Sequence, residues 1–171
     1  MTQLTREDWI KAGLQQLADA GIHKVRIEKL ARLLKISKGS FYHYFRDHQE
    51  LLDAMIDYWE IHATKRIIES MEQADSTLEQ LLSISFSSDK SMEMGIYAWA
   101  KYDKGVATRL VDIEEKRICC LARLYEKKGH DTLAALERAK VAYLSYIGWM
   151  TRYKDNPNFT IATMLELLVK I

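Results

Sequence analysis

The stretch that decides the fold of this chain is residues 30–45, which read LARLLKISKGSFYHYF. Apolar residues recur three or four positions apart from Ile27 onward, as on the buried face of a helix. The spacing predicts a helix over Ile27–Leu34, a turn Lys35–Ser37 and a second helix over Lys38–Phe45. Two short helices joined by three or four residues form a helix-turn-helix, whose second helix enters the major groove of DNA.

Positive charge is concentrated around this stretch. Between Ala20 and Arg46 there are seven Lys or Arg residues and one acid, Glu28, which gives +6 in a chain whose formal net charge is +1. Local positive charge on a short helical unit is expected of a protein that binds the phosphate backbone. A lysine-rich surface that only faces water is the alternative.

The chain as a whole favours long helices, because its 171 residues include only one proline and seven glycines. We expect Gly21 to end the first helix, and Ser37, Asp47 and either Asp131 or Thr132 to start later helices. The serine-rich run Ser83–Ser91 is expected to interrupt a helix. The prediction is an all-α fold of about nine helices without strands.

Residues 30–45, followed by DHQELL at residues 47–52, resemble the signature of the TetR family of transcriptional regulators. The match covers about residues 5–60, and its serine-lysine-glycine sequence before an aromatic run is specific. The resemblance implies a homodimeric, sequence-specific DNA-binding regulator, a repressor that a small-molecule inducer releases from a palindromic operator. A helical interaction protein that keeps this fold without binding DNA is the alternative.

The same resemblance implies two domains. Residues 1–46 would be a three-helix helix-turn-helix DNA-binding domain, with its motif at about 26–45. Residues 47–171 would be a helical bundle that binds the ligand and dimerises.

The resemblance also assigns DNA contacts to particular residues. Hydroxyls of Ser37 and Ser40 are expected at phosphate, near free N–H groups at the start of the helix. Lys38 suits a phosphate or a guanine, and Phe41 a thymine methyl or the core, while Tyr44 and Phe45 are expected to point inward. The predicted DNA-binding residues are Arg26, Glu28, Ser37, Lys38, Gly39, Ser40, Phe41, Tyr42, His43 and His48.

Three places depart from the family pattern. Val25 and Arg26 stand where a threonine or serine usually caps the second helix. Lys35 stands where the turn usually carries glycine, which predicts a lysine in the left-handed region at modest cost. His48 stands where a lysine is usual. We therefore expect phosphate affinity to rise when His48 protonates, below about pH 6.5 for an ordinary imidazole.

The C-terminal part predicts a buried interface between two copies. Apolar residues occupy nearly every face of the helix from Ala134 to Met150, and more follow in Ile161–Ile171. A homodimer through about residues 132–154 and 158–171 would give the two-fold symmetry that paired half-sites demand. A monomeric bundle with a thick core is the alternative.

A ligand pocket is predicted only from composition. Aromatic, polarizable and polar residues at plausible inward positions can line an apolar cavity, although such stripes are more often plain core. The candidates are Met55, Trp59, His62, Met94, Tyr97, Trp99, Tyr102, Cys119, Arg123, Tyr143 and Tyr146.

Other classes of function lack their motifs. The five histidines show no HxxxH or HExxH pair, and no phosphate-binding glycine loop or GxSxG is present, so we expect no metal, no cofactor and no enzyme. No stretch reaches the roughly 20 apolar residues that span a bilayer. Adjacent Cys119 and Cys120 suit a reducing cytoplasm, either as a redox sensor or as inert core.

Overall fold

The computed structural model describes residues 4–65, 77–87, 89–156, 158 and 160–170, and all regular structure in these residues is helical. The described residues form eight α-helices. They also contain a 3₁₀ helix at Lys38–His43, a short 3₁₀ turn at Ile22–Lys24 and a π-helical turn at Ile61–Lys65. The α-helices are α1 Arg6–Ala20, α2 Ile27–Leu33, α3 His48–Glu60, α4 Leu78–Ser87, α5 Ser91–Ala100, α6 Lys104–Lys127, α7 Thr132–Arg152 and α8 Ile161–Lys170. The all-α prediction of about nine helices is confirmed.

The first compact unit comprises the described residues of Met1–His62 and Ser91–Leu110. Here α1 packs against α3 and α5, and α2 packs against the 3₁₀ helix. Thr5 starts α1 with a capping box, since its hydroxyl accepts from the amide of Asp8 and the Asp8 carboxylate accepts from the amide of Thr5. Gly21, with φ of 79°, ends α1 as predicted.

Helix α5 approaches α1 closely at Gly95. A Cβ added there would lie 3.0 Å from Leu17 Cγ and 3.2 Å from the Leu17 carbonyl oxygen. The start of α6 is tied to α3, because Arg109 reaches Asp57 at 2.7 Å and Glu60 at 3.1 Å. The first unit therefore takes in residues beyond the predicted division after residue 46, and that functional division stays a prediction.

The second compact unit comprises the described residues of Ala63–Lys90 and Val111–Ile171. In it α4 packs against α7 and α8. The predicted interruption at Ser83–Ser91 is wrong for its first part, because α4 continues to Ser87. Leu78, Leu82 and Phe86 recur every four residues and are buried, so one apolar face holds the serine-rich stretch in a helix.

Two of the predicted N-caps form side-chain hydrogen bonds. Asp47 accepts from the amide of Glu50 at 2.8 Å at the start of α3, and Asp131 accepts from the amide of Ala134 at 2.9 Å at the start of α7. Both predicted caps are confirmed. Ser37 precedes the 3₁₀ helix but makes no side-chain cap hydrogen bond, so its predicted cap is wrong.

Candidate nucleic-acid interface

The turn between α2 and the 3₁₀ helix is a Schellman motif. The amide of Ile36 donates to the carbonyl of Ala31 at 3.0 Å, and the amide of Lys35 donates to that of Arg32 at 3.2 Å. Lys35 lies in the left-handed region with φ of 57°, as predicted. The buried, small Ala31 lets α2 and the 3₁₀ helix pack together, so the predicted helix-turn-helix arrangement is present.

The second helix of the motif is shorter and tighter than predicted. Instead of an α-helix over Lys38–Phe45, the chain forms a 3₁₀ helix over Lys38–His43. Gly39, Ser40 and the aromatic residues that follow are weak α-helix formers, and the 3₁₀ form is common in such short pieces.

Seven of the ten predicted DNA-binding residues are exposed, and three are not. Ser40 and His48 are half-buried, and Phe41 is completely buried. The exposed members of the set are Arg26, Glu28, Ser37, Lys38, Gly39, Tyr42 and His43.

Phe41 belongs to the core. Its ring lies 5.2 Å from that of Trp9 in an edge-to-face arrangement and 5.2 Å from that of Phe45 in a stacked one. The predicted thymine contact of Phe41 is therefore wrong, because no part of its side chain reaches solvent. Phe45 points inward as expected, and the Tyr44 hydroxyl donates to the carbonyl of Leu4.

His48 ties the start of α3 to the segment before α2. Its Nε2 lies 2.8 Å from the carbonyl oxygen of Val25, and Val25 is itself buried. This hydrogen bond engages one ring nitrogen, which leaves Nδ1 as the atom for a phosphate contact. The pH-dependent contact of His48 stays a prediction.

Glu28 and Lys38 form an ion pair across the turn. Lys38 Nζ lies 2.5 Å from Glu28 Oε1, and both side chains are about half exposed, at 50% and 56%. The hydrogen bond lowers the pKa of the Glu28 carboxyl and raises that of the Lys38 ammonium. Both groups are therefore charged near neutral pH.

Several further cations of this segment are exposed. Lys24, Arg26, Arg32, Lys35 and Arg46 are exposed. Arg46, which follows the 3₁₀ helix in the sequence, forms an ion pair with Glu50 at 3.1 Å. The local excess of positive charge deduced from the sequence is thus displayed to solvent, as binding to phosphates requires.

The eleven predicted ligand-binding residues are not brought together within either unit. Seven belong to the first unit (Met55, Trp59, His62, Met94, Tyr97, Trp99 and Tyr102) and four to the second (Cys119, Arg123, Tyr143 and Tyr146). Contrary to the predicted inward positions, His62, Tyr102, Cys119 and Arg123 are exposed.

The buried candidates of the first unit serve its core. Met55 is completely buried over Gly13, where an added Cβ would lie 2.6 Å from the Met55 sulfur. Trp59 and Trp99 are also buried, whereas Met94 and Tyr97 are half-buried. Tyr102 lies at the surface with its ring 6.2 Å from that of His23.

An aromatic cluster in the second unit contains members that the sequence did not single out as ligand-binding. Phe86 lies 5.5 Å from Tyr146 and 4.9 Å from Trp149, ring centre to ring centre. The buried Lys90 places its ammonium 5.3 Å from the centre of the Tyr146 ring. The four-residue spacing from Leu82 to Phe86 is the signal that could have identified Phe86, and no pattern marks Lys90.

The two cysteines lie on α6, and their redox role stays a prediction. Cys119 is exposed and Cys120 is buried, and neither forms a disulfide. The nearby Arg117 is buried, with its Nε 3.3 Å from the Thr64 hydroxyl. The described part of the chain holds no cluster of three His, Cys, Asp or Glu residues suited to a metal ion. None of its helices combines the length and the apolar character needed to cross a bilayer.

Comparison with known proteins supports the assignment of the N-terminal part. Residues 10–55 match the family model described as bacterial regulatory proteins, tetR family. The chain is 33% identical over 57 residues to the transcriptional regulator AcuR of Cereibacter sphaeroides, a stretch covering 33% of this chain and 26% of that protein. It is 38% identical over 58 residues to the HTH-type transcriptional regulator BetI of Pectobacterium carotovorum, covering 34% and 30%. The matched stretches span less than a third of these curated relatives, which are regulators by name rather than enzymes.

The fold is shared over nearly the whole chain with a solved structure. The reduced form of NemR from E. coli superposes with a TM-score of 0.75 at 18% identity, covering 96% of this chain and 94% of that one. The sequence resemblance stated from residues 30–45 and the fold class are both confirmed.

Proposed function

We propose that this chain, whose N-terminal domain is that of the tetR family of bacterial regulatory proteins, is a sequence-specific DNA-binding transcriptional regulator. The observation that carries the proposal is the Schellman turn. It projects the 3₁₀ helix Lys38–His43 from a buried core, with exposed cations on both sides. A short helix on such a support enters the major groove, and the surrounding lysines and arginines neutralise phosphates.

The proposed DNA contacts are of two kinds: contacts to phosphates position the protein, and close approach to the bases allows the sequence to be read. Ser37, Tyr42 and His43 are exposed and carry hydroxyl or imidazole groups suited to phosphate oxygens, and Ser40 is half-buried beside them. Gly39 leaves the front of the helix open, because an added Cβ would meet only the Ser37 hydroxyl oxygen, at 3.8 Å. The backbone can thus approach DNA closely at Gly39.

The protein would act as a homodimer through α7 and α8. Leu133, Val141 and Leu144 on α7 are exposed at 71%, 51% and 69%, and Leu167 on α8 at 58%. Gly148, which follows Leu144 by one turn, has open space around it. Exposed leucines at helical spacing beside a residue without a side chain favour close helix packing with a second copy. Of the predicted ranges 132–154 and 158–171, Phe159 and Ile171 lie outside the described residues.

Regulation would come from a small-molecule inducer bound in the second unit. Tyr143 and Tyr146, with Phe86 and Trp149, supply aromatic surface there. A ligand that binds one arrangement of the dimer more tightly than the other shifts the population between them. If the disfavoured arrangement is the one that fits a palindromic operator, the ligand releases a repressor from DNA in the bacterial cytoplasm.

Selection from a randomised duplex library tests the proposal. Enrichment of a palindrome with half-sites about one helical turn apart is expected of a dimer. A folded sample that enriches no sequence at low salt would overturn the proposal and favour the helical interaction protein.

A further inference from the structure

The Glu28–Lys38 ion pair joins the two helices of the motif. Glu28 lies in the first turn of α2 and Lys38 is the first residue of the 3₁₀ helix, and the bond between Nζ and Oε1 measures 2.5 Å. Both side chains keep about half of their surface exposed. The pair is thus a fixed polar unit on the surface proposed to face DNA.

The pair presents hydrogen-bond donors beside an acceptor. An ammonium group carries three N–H donors, of which the bond to Glu28 uses one. A carboxylate has two oxygens, and the bond uses Oε1. Two N–H groups of Lys38 therefore lie next to the second oxygen of Glu28, which only accepts.

A phosphate is a poor partner for this arrangement. Any phosphate oxygen that accepts from Lys38 Nζ would also lie close to the Glu28 carboxylate, because only 2.5 Å separates the two side-chain atoms. Like charges at that separation repel. A neutral group with acceptors next to a donor avoids this cost.

The major-groove edge of a G·C base pair has that pattern. Guanine presents two acceptors, N7 and O6, and cytosine presents the N4 amino donor. We propose that the Glu28–Lys38 pair reads one G·C base pair in each half-site, with Lys38 donating to guanine and Glu28 accepting from cytosine N4. The proposal rests on the DNA-binding function proposed above.

An A·T pair matches this pattern less well. Thymine offers Lys38 a single acceptor, O4, beside a methyl group that cannot accept. Glu28 on the adenine amino group would also approach the N7 acceptor of the same base. The arrangement therefore discriminates in favour of G·C.

Duplex-library selection on the wild type and three variants tests the inference. Glu28→Gln and Lys38→Ala should each lower the preference for G at one position per half-site by about tenfold, and leave the other positions unchanged. The double variant Glu28→Lys with Lys38→Glu keeps an ion pair but exchanges donor and acceptor. It should prefer the opposite orientation, C·G, at the same position.

An equally exposed ion pair in the same unit provides the control. Lys11 and Glu7 on α1 lie 2.6 Å apart with exposures of 57% and 54%. The double variant Glu7→Ala with Lys11→Ala should leave every base preference unchanged. Thermal unfolding of each variant verifies that it is folded.

The outcomes separate this inference from the function on which it rests. If the wild type enriches an operator and all three folded variants keep its base preferences, the pair is only a salt bridge or a phosphate contact, and the inference is overturned. In that case Lys38→Ala would lower the salt slope of binding by about one. If the folded wild type enriches nothing, the proposed function fails, and the inference fails with it.

Discussion

The amide of Ile36 donates to the carbonyl of Ala31 at 3.0 Å, and this bond closes α2 with the intervening Lys35 at φ of 57°. A residue with a Cβ pays for that left-handed backbone by about 1–2 kcal/mol, whereas glycine adopts it freely. The turn that aims the 3₁₀ helix is therefore strained at a residue whose charge suits DNA.

Lys35→Gly should raise the free energy of unfolding by about 1 kcal/mol, or the melting temperature by about 2–4 °C. Lys35→Ala is the matched variant, since it removes the same charge and keeps the Cβ. Chemical denaturation of both variants separates the effect of the backbone conformation from the effect of losing the charge. Equal stability of the glycine and alanine variants would show that the left-handed strain is absent.

Phe41 and Tyr42 are adjacent aromatic residues with opposite roles. Phe41→Ala should destabilise the protein by about 3–5 kcal/mol, because it opens a cavity against Trp9 and Phe45. Tyr42→Ala should leave the melting temperature within a few degrees and weaken DNA binding, since Tyr42 is 55% exposed. Thermal unfolding and a DNA-binding titration on each variant check the pair. A destabilised Tyr42 variant that binds DNA normally would reverse the assignment.

Leu144→Glu should break the proposed dimer. A carboxylate at the 69%-exposed position would be buried without a partner when two copies meet. The dissociation constant of the dimer, from sedimentation equilibrium, should rise at least tenfold. The control Leu33→Glu, at the 57%-exposed position on α2, should leave the dissociation constant of the dimer unchanged. If both variants dimerise as the wild type does, the interface lies elsewhere.

Tyr125 should make stability depend on pH in alkaline solution. Its buried hydroxyl donates to the carbonyl of Leu168 at 2.6 Å, and burial raises the pKa of Tyr125 to about 12. The unfolded chain releases this proton at about pH 10. The stabilising contribution is therefore complete below about pH 10 and is lost as the pH rises towards 12.

Tyr125→Phe exposes this contribution. At pH 8 the substitution should lower the free energy of unfolding by about 1–2 kcal/mol, because the Leu168 carbonyl loses its buried donor. The gap in unfolding free energy between wild type and variant should narrow as the pH rises from 10 to 11. A gap that stays constant over this range would contradict the raised pKa.

The sequence predicts the parts of the fold that depend on local chemistry. Asp47 and Asp131 cap helices where an aspartate precedes an apolar run. The left-handed backbone of Lys35 is implied by the family resemblance, which places a glycine at this turn. The charge excess of Ala20–Arg46 needs no tertiary information. Each of these features is decided within a few residues.

What the sequence could not predict depends on contacts between distant elements. The sequence leaves Phe41 between a DNA contact and the core, and only its packing against the distant Trp9 assigns it to the core. Serines near Phe86 suggest a break until α7 is placed beside them. Periodicity alone likewise cannot place Cys119 and Arg123 at the surface.

The packing of Gly95 against Leu17 limits how such a protein can be recombined. Residues 91–110 return to the unit that holds α1–α3, although the described residues of 63–90 belong to the other one. A chimera that exchanges only the N-terminal 62 residues would give its α1 a foreign α5. The protein that receives α1 would then need glycine at the position of Gly95, or the transplanted α1 would be displaced. Transfer of the unit that contains α1–α3 of this chain would therefore require residues 91–110 to move with it.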